Sequence, residues 1–203
     1  MSDKKINMPE EFVLERITLK RTEKQFAEER LKVFHKNMDH LKEFMPFIKS
    51  SYSIDDELMH IARCSKNWDC RKIYDFSIFE NETKKYIGSI SIMVNNSSRI
   101  EYSFGYWLAK SAEGKGYISE AVQALTCYLQ DKLKANRVVI SCHFENLKSA
   151  KVAERNGFLF EYKSFALDRG DDAYFFVNLL NEEKRNELQS LQDNLKSVYN
   201  INI

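Results

Sequence analysis

The sequence predicts a mixed α+β fold: an antiparallel meander that passes into an alternation of helices and strands. Two observations set the architecture and a third marks a site. Three apolar, alternating segments around Tyr74–Ile78, Tyr86–Val94 and Tyr102–Leu108 are separated by short polar turns, the pattern of adjacent antiparallel strands. After the third, the chain reads helix, strand, helix, strand, which requires a crossover and at least one parallel pair of neighbours. Between that third strand and the next helix stand Gly114 and Gly116, in a chain with only six glycines and two prolines.

Each element has its own justification. Residues 1–10 read as a loose tail. Phe12, Leu14, Ile17 and Leu19 mark one first strand, with Arg16 and Lys20 turned to water. Thr22 followed by Gln25 resembles a capping box, and Phe26, Leu31, Val33, Phe34, Met38 and Leu41 carry a helical pattern that Pro46 stops. Ser53 followed by Asp55, Asp56 and Glu57 opens a second helix, acidic in its first turn, with Leu58, Ile61, Ala62 and Trp68 on its apolar face. Glu80–Thr83 and Asn95–Ser98 turn the meander. Then follow a helix over Tyr117–Leu133, a strand over Arg137–His143, a shorter helix over Asn146–Gly157, and strands over Phe158–Leu167 and Tyr174–Leu180 joined by the turn 168–172. Leu188, Leu191, Leu195 and Val198 recur at helical spacing in a last amphipathic helix. It reads first as packing back on the domain, and alternatively as a homodimer or partner surface. The expected organisation is a tail (1–10), one domain (11–181) and a C-terminal helix (182–203).

Bulk composition excludes several classes. A net charge of +1 gives no global basic field of the kind nucleic-acid binding uses. Cys64, Cys70, Cys127 and Cys142 form no CxxC pair, so small buried thiols, with no metal and no disulfide, are expected. No apolar run approaches the roughly 18 residues of a membrane span. The charged segment Met1–Glu11 lacks the apolar core of a signal peptide. A cytoplasmic protein is expected, with no membrane or nucleic-acid partner.

Glu113-Gly114-Lys115-Gly116 is neither a GxGxxG fingerprint nor a P-loop. Alone it supports a tight turn, placed where bare backbone N–H groups and a helix N-terminus can hold a phosphate. Its company is more specific. Gly105-Tyr106-Trp107-Leu108, Gly114-Lys115-Gly116-Tyr117-Ile118-Ser119-Glu120-Ala121, Asn146-Leu147-Lys148-Ser149 and Arg155-Asn156-Gly157-Phe158, in that order, resemble the GNAT acetyltransferases. Within them the chain looks most like the Rim branch, which acetylates ribosomal-protein N-termini. The resemblance covers about residues 12–180 and implies the GNAT fold: a central twisted, mostly antiparallel sheet with splayed parallel central strands, flanked by helices.

It also implies a cosubstrate, acetyl-CoA. The pantetheine arm would lie between the splayed strands, against the backbone of Trp107 and Leu108. The pyrophosphate would sit on the N–H groups of Glu113, Gly114, Lys115, Gly116, Tyr117 and Ile118, with the Ser119 hydroxyl as a further donor. The family's loop usually begins with Gln or Arg where this chain has Ser111. The Leu108 N–H would polarise the thioester carbonyl, Asn146 would touch the CoA arm, and Ser149 would hydrogen-bond the sulfur and protonate the leaving thiolate.

The plainer readings are a helix N-cap for Asn146 and a solvated helix serine for Ser149. The usual glutamate two residues before the Gly of Gly-Tyr-Trp is Ser103 here. Glu101, two residues earlier on the same strand face, is the candidate base, acting through water, or else an exposed strand carboxylate. Asp171 and Asp172 could greet a cationic acceptor, and His143 could relay a proton. Tyr106 and Trp107 read as core or pocket wall, and Cys142 as packing rather than a nucleophile. The expected activity is direct acetyl transfer to an amine, foremost a protein α-amine. The alternatives are a polyamine or aminoglycoside acceptor, and a catalytically silent acyl-CoA-binding module.

Overall fold

The computed structural model describes residues 7–43, 51–95, 100–165 and 172–199. Eight strands, β1 (Glu11–Val13), β2 (Ile17–Arg21), β3 (Ile73–Glu80), β4 (Tyr86–Asn95), β5 (Glu101–Leu108), β6 (Arg137–His143), β7 (Leu159–Phe165) and β8 (Asp172–Leu179), join in the order β1-β2-β3-β4-β5-β6-β8-β7. Six helices accompany them: α1 (Ala27–Lys36), α2 (Met38–Lys42), α3 (Ile54–Asp69), α4 (Tyr117–Leu133), α5 (Leu147–Arg155) and α6 (Glu182–Tyr199). The expected mixed fold, with a mostly antiparallel sheet, is the fold observed. No helix of the described residues is long and apolar enough to cross a membrane.

The chain divides into two compact units, one of residues 1–94 and 105–125, the other of 95–104 and 126–203. β5 and α4 each contribute their two parts to both units. In the first unit the expected single N-terminal strand is two. Leu14 N–H donates to the Ile17 carbonyl at 2.9 Å, so the chain folds back at Glu15–Arg16. Asn81 fixes the turn by donating to the carbonyls of Leu14 and Glu15 at 2.9 and 3.1 Å. Apolar alternation continued across the turn and hid it. Ile17, Leu19, Phe76, Ile78, Ile90 and Ile92 are fully buried in this unit's core.

The Thr22–Gln25 capping box does not form. Thr22 donates its hydroxyl to Asp75 at 2.7 Å instead, and the 3-10 turn at Lys24–Phe26 has no side-chain cap. The helix expected through Leu41 breaks at Asn37 into α1 and α2. Pro46 lies outside the described residues, as do the turn at 96–98 and the turn over 168–171. Ser53 does cap α3: its hydroxyl accepts from Asp56 N–H at 3.2 Å while the Asp56 carboxylate accepts from Ser53 N–H at 2.8 Å.

A buried guanidinium ties this unit's helices to its strands. Arg30 of α1, 5% exposed, donates Nε to Glu57 of α3 at 2.6 Å and Nη1 to Ser77 and Ser89 at 2.8 and 2.9 Å. The second oxygen of Glu57 accepts from the Tyr52 hydroxyl at 2.8 Å. Asp75 accepts from Thr22 and from Ser91, the latter at 2.6 Å.

In the second unit β5 and β6 run parallel, pairing Tyr102 with Val138, Ser103 with Val139 and Phe104 with Ile140. β8 lies antiparallel to both β6 and β7. Arg137 at the start of β6 binds Glu101 of β5 and Glu161 of β7. α6 packs on this unit: Arg185 donates to the Gly157 carbonyl at 3.1 Å, and the Gln192 amide donates to the Phe160 carbonyl.

Removing one partner of a buried ion pair leaves the other uncompensated. Arg30→Ala should cost about 3–5 kcal/mol. Urea unfolding measures this, and a loss below about 1 kcal/mol, the value of a surface pair, would show that the Arg30 network does not hold the helices down.

Candidate active site

The loop before α4 has the backbone an anion site requires. Gly114 and Gly116 adopt φ of +74° and +82°, left-handed values that side chains other than glycine's rarely take. A β-carbon on Gly114 would meet no protein atom within 4 Å, so its glycine answers to the dihedral, not to crowding within the chain. Glu120 N–H bonds the Gly116 carbonyl at 3.0 Å; the earlier amides of a helix have no intrahelical acceptor. The Ser119 hydroxyl oxygen is buried and has no hydrogen-bond partner among the described residues. An orphaned hydroxyl beside two left-handed glycines, at a helix start whose first amides have no intrahelical acceptor, fits a phosphate group. The Glu113 amide, expected among the donors, already reaches the Lys110 carbonyl at 3.3 Å, so the open amides begin beyond it.

Long-range contacts that the sequence did not reveal hold the loop. Arg16, exposed as expected, also donates Nη1 to the Lys115 carbonyl at 2.7 Å and Nε to Glu120 at 2.8 Å. The Tyr117 hydroxyl donates to Glu80 at 2.5 Å. That bond raises the phenol's pKa, while the Thr83 and Tyr117 hydroxyls lower that of Glu80. His40 of α2 meets Glu113 at 2.7 Å, and Asn37 accepts from Lys110 N–H at 2.8 Å.

At the end of β5 the backbone of Trp107 and Leu108 is approached closely by β4. A β-carbon on Gly88 would lie 2.2 Å from the Trp107 carbonyl oxygen and 2.9 Å from the Leu108 Cα. Glycine at 88 is therefore required for this segment to sit where it does; its signal in the sequence was a glycine inside a strand pattern. Ala109 N–H bonds the Ile87 carbonyl at 2.8 Å. The Trp107 ring meets Phe34 and Tyr86 edge-to-face, at centroid distances of 6.1 and 5.9 Å, and Phe34 also contacts Tyr52 at 4.9 Å. Trp107 is thus part of an aromatic wall.

In the second unit Asn146 caps α5, its side-chain oxygen accepting from Ser149 N–H at 3.1 Å. Burial raises the pKa of Cys142 against a smaller opposing effect from Ser149; a thiol shifted this way is a weak nucleophile. Glu101 is not a free carboxylate: Arg137 donates to it at 2.5 Å while also gripping Glu161 at 2.6 and 2.5 Å. His143 Nδ1 faces Glu145 N–H at 3.2 Å. Asp172 pairs with Lys163 at 2.9 Å, and Asp171 lies outside the described residues.

Away from the loop, ligand atoms of His60, Cys64 and Asp75 lie within 4.8 Å of one another. Their groups are engaged, however. His60 contacts both the Cys64 sulfur and Arg63, Asp75 serves Thr22 and Ser91, and burial pushes the Cys64 thiol up to about 12. We read this cluster as core polar packing.

Comparison with known proteins adds the family. Residues 16–159 match the acetyltransferase (GNAT) domain. The chain belongs to the GNAT acetyltransferase family. Acetyl transfer from acetyl-CoA to nitrogen is what that family does. The ribosomal-protein-serine acetyltransferase of Escherichia coli (strain K12) is 38% identical over 104 residues, covering 51% of this chain and 57% of that protein. YdaF of Bacillus subtilis (strain 168), provisionally named as a ribosomal N-acetyltransferase, is 33% identical over 75% of this chain and 82% of its own length. Two solved structures share the GNAT fold. RimL, described as a ribosomal L7/L12 α-N-protein acetyltransferase in complex with CoA through a CoA–cysteine disulfide, superposes with a TM-score of 0.75 at 21% identity, covering 84% of this chain and 98% of RimL. The microcin C7 self-immunity acetyltransferase MccE, in complex with acetyl-CoA and AMP, gives 0.74 at 24% identity, covering 82% and 93%.

Two glycine substitutions separate dihedral strain from a true close approach in this GNAT domain. Gly88→Ala should cost about 3 kcal/mol by overpacking against backbone. Gly114→Ala should cost about 1 kcal/mol from its left-handed dihedral alone. Urea titration of both variants checks the order; equal costs would refute the Gly88 packing argument.

Proposed function

We propose that this GNAT enzyme transfers acetyl from acetyl-CoA to the N-terminal α-amine of a protein, with a ribosomal protein as acceptor, in the cytoplasm. The observation that carries the cofactor half is the loop itself: two left-handed glycines and the orphaned Ser119 hydroxyl at the start of a helix. The acceptor half is supported by the ribosomal-protein acetyltransferases among the relatives.

Lys115, Gly116, Tyr117 and Ile118 would offer their amides to the pyrophosphate, and Ser119 its hydroxyl. Trp107 and Leu108 would align the pantetheine by backbone contacts, and the Leu108 N–H would stabilise negative charge developing on the acyl oxygen. Acetyl-CoA supplies the thioester that makes the acyl group transferable. Ser149 is assigned to donate a proton to the departing sulfur, with Asn146 fixing the turn that carries it and contacting the CoA arm. Glu101 we assign to holding Arg137 rather than to proton abstraction, since its carboxylate is already engaged at 2.5 Å.

Ser149→Ala should lower kcat about 100-fold, the scale of a lost general acid, with a much smaller change in acetyl-CoA affinity; an unchanged kcat would remove Ser149 from the chemistry. The acceptor is tested by intact-mass spectrometry of ribosomal proteins incubated with enzyme and acetyl-CoA, alongside free-CoA release with a polyamine and aminoglycoside panel. A gain of one acetyl on a ribosomal-protein N-terminus supports the proposal. Turnover only with small amines, or acetyl-CoA binding with no product from any amine, overturns it.

A further inference from the structure

Resting on the loop assignment above, we propose that Arg16, in the β1–β2 turn, is a positioning residue for acetyl-CoA: it holds the Gly114–Gly116 loop in its anion-binding shape. The guanidinium has three anchors there. Nη1 donates to the Lys115 carbonyl at 2.7 Å, between the two glycines. Nε donates to Glu120, one turn into α4, at 2.8 Å, and the Arg16 backbone N–H donates to the other oxygen of that carboxylate at 2.9 Å. The guanidinium carbon lies 5.4 Å from the centre of the Tyr117 ring. Nη2 lies 3.4 Å from where a β-carbon on Gly116 would stand.

One of these contacts holds the carbonyl whose peptide plane carries the Gly116 amide, and the others anchor the guanidinium beside it. A peptide unit is rigid, so fixing the Lys115 carbonyl fixes the Gly116 N–H on the opposite side of the same plane. Glycine lowers the barrier to left-handed dihedrals but does not select them, because it populates both signs of φ readily. Two glycines two positions apart therefore give a loop that can take the binding shape, and an external contact is needed to keep it there. Arg16 supplies that contact from about a hundred residues away in the sequence. Glu120 offsets its charge, so its contribution is geometry more than field. A forked guanidinium suits this task, since Nε and Nη1 reach two acceptors at once; an ammonium offers a single point.

Calorimetric titration with acetyl-CoA tests the role. Arg16→Ala should weaken acetyl-CoA binding about tenfold, the scale of a lost charge-assisted hydrogen bond, while the unliganded melting temperature stays near that of wild type. Arg16→Lys should recover only part of the affinity. The same tenfold loss should appear with 3′-dephospho-acetyl-CoA, which keeps the pyrophosphate. Unchanged affinity in Arg16→Ala overturns the proposal. So does a loss that vanishes with the dephospho compound, which would make Arg16 a direct 3′-phosphate ligand, or a loss matched by a fall in unliganded stability. Gly116→Val is the control for the parent assignment. If it binds acetyl-CoA as wild type does, the pyrophosphate loop and the Arg16 role fall together; if it loses binding while Arg16→Ala does not, only the Arg16 role falls.

Discussion

The loop before α4 rests on a backbone constraint: the left-handed dihedrals of Gly114 and Gly116. The first amides of the helix that follows have no intrahelical acceptor. Three other parts of the first unit contact that turn. Arg16, Glu80 and His40 each reach it from a separate element. Gly88 lets β4 press against Trp107 and Leu108, fixing the strand end that leads into the loop.

A second constraint lies beneath the aromatic wall. Arg30 and Glu57 are buried charges, costly to bring out of water, and their bond to each other and to hydroxyls of β3 and β4 offsets that cost only in one arrangement of α1 and α3. Phe34 of α1 and Tyr52, just before α3, meet each other and the Trp107 wall in consequence. The network thus fixes how the wall is built, and carries no proton chemistry of its own.

Much of this was legible in the sequence, for identifiable reasons. α4 and β6 were delimited at Tyr117–Leu133 and Arg137–His143, because a glycine turn opens α4 and the hydrophobic period changes between the two. The Ser53 cap was legible because all its atoms lie within four residues. What escaped was non-local or ambiguous. The turn at Glu15–Arg16 kept the apolar alternation on both sides. Thr22 had a local capping role available and took a buried carboxylate instead. Glu101 read as a free carboxylate because its partner Arg137 is on another strand. Arg16 is exposed as read, but nothing in its neighbourhood announces its partners, Glu120 and the Lys115 carbonyl.

The central claim is that bare backbone amides at the start of α4 hold the cosubstrate. Hydrogen–deuterium exchange with and without saturating acetyl-CoA tests it directly. The amides of Lys115 to Ile118 should exchange markedly more slowly in the complex, together with that of Leu108. Saturation of the protein with acetyl-CoA without protection at 115–118 would contradict the account.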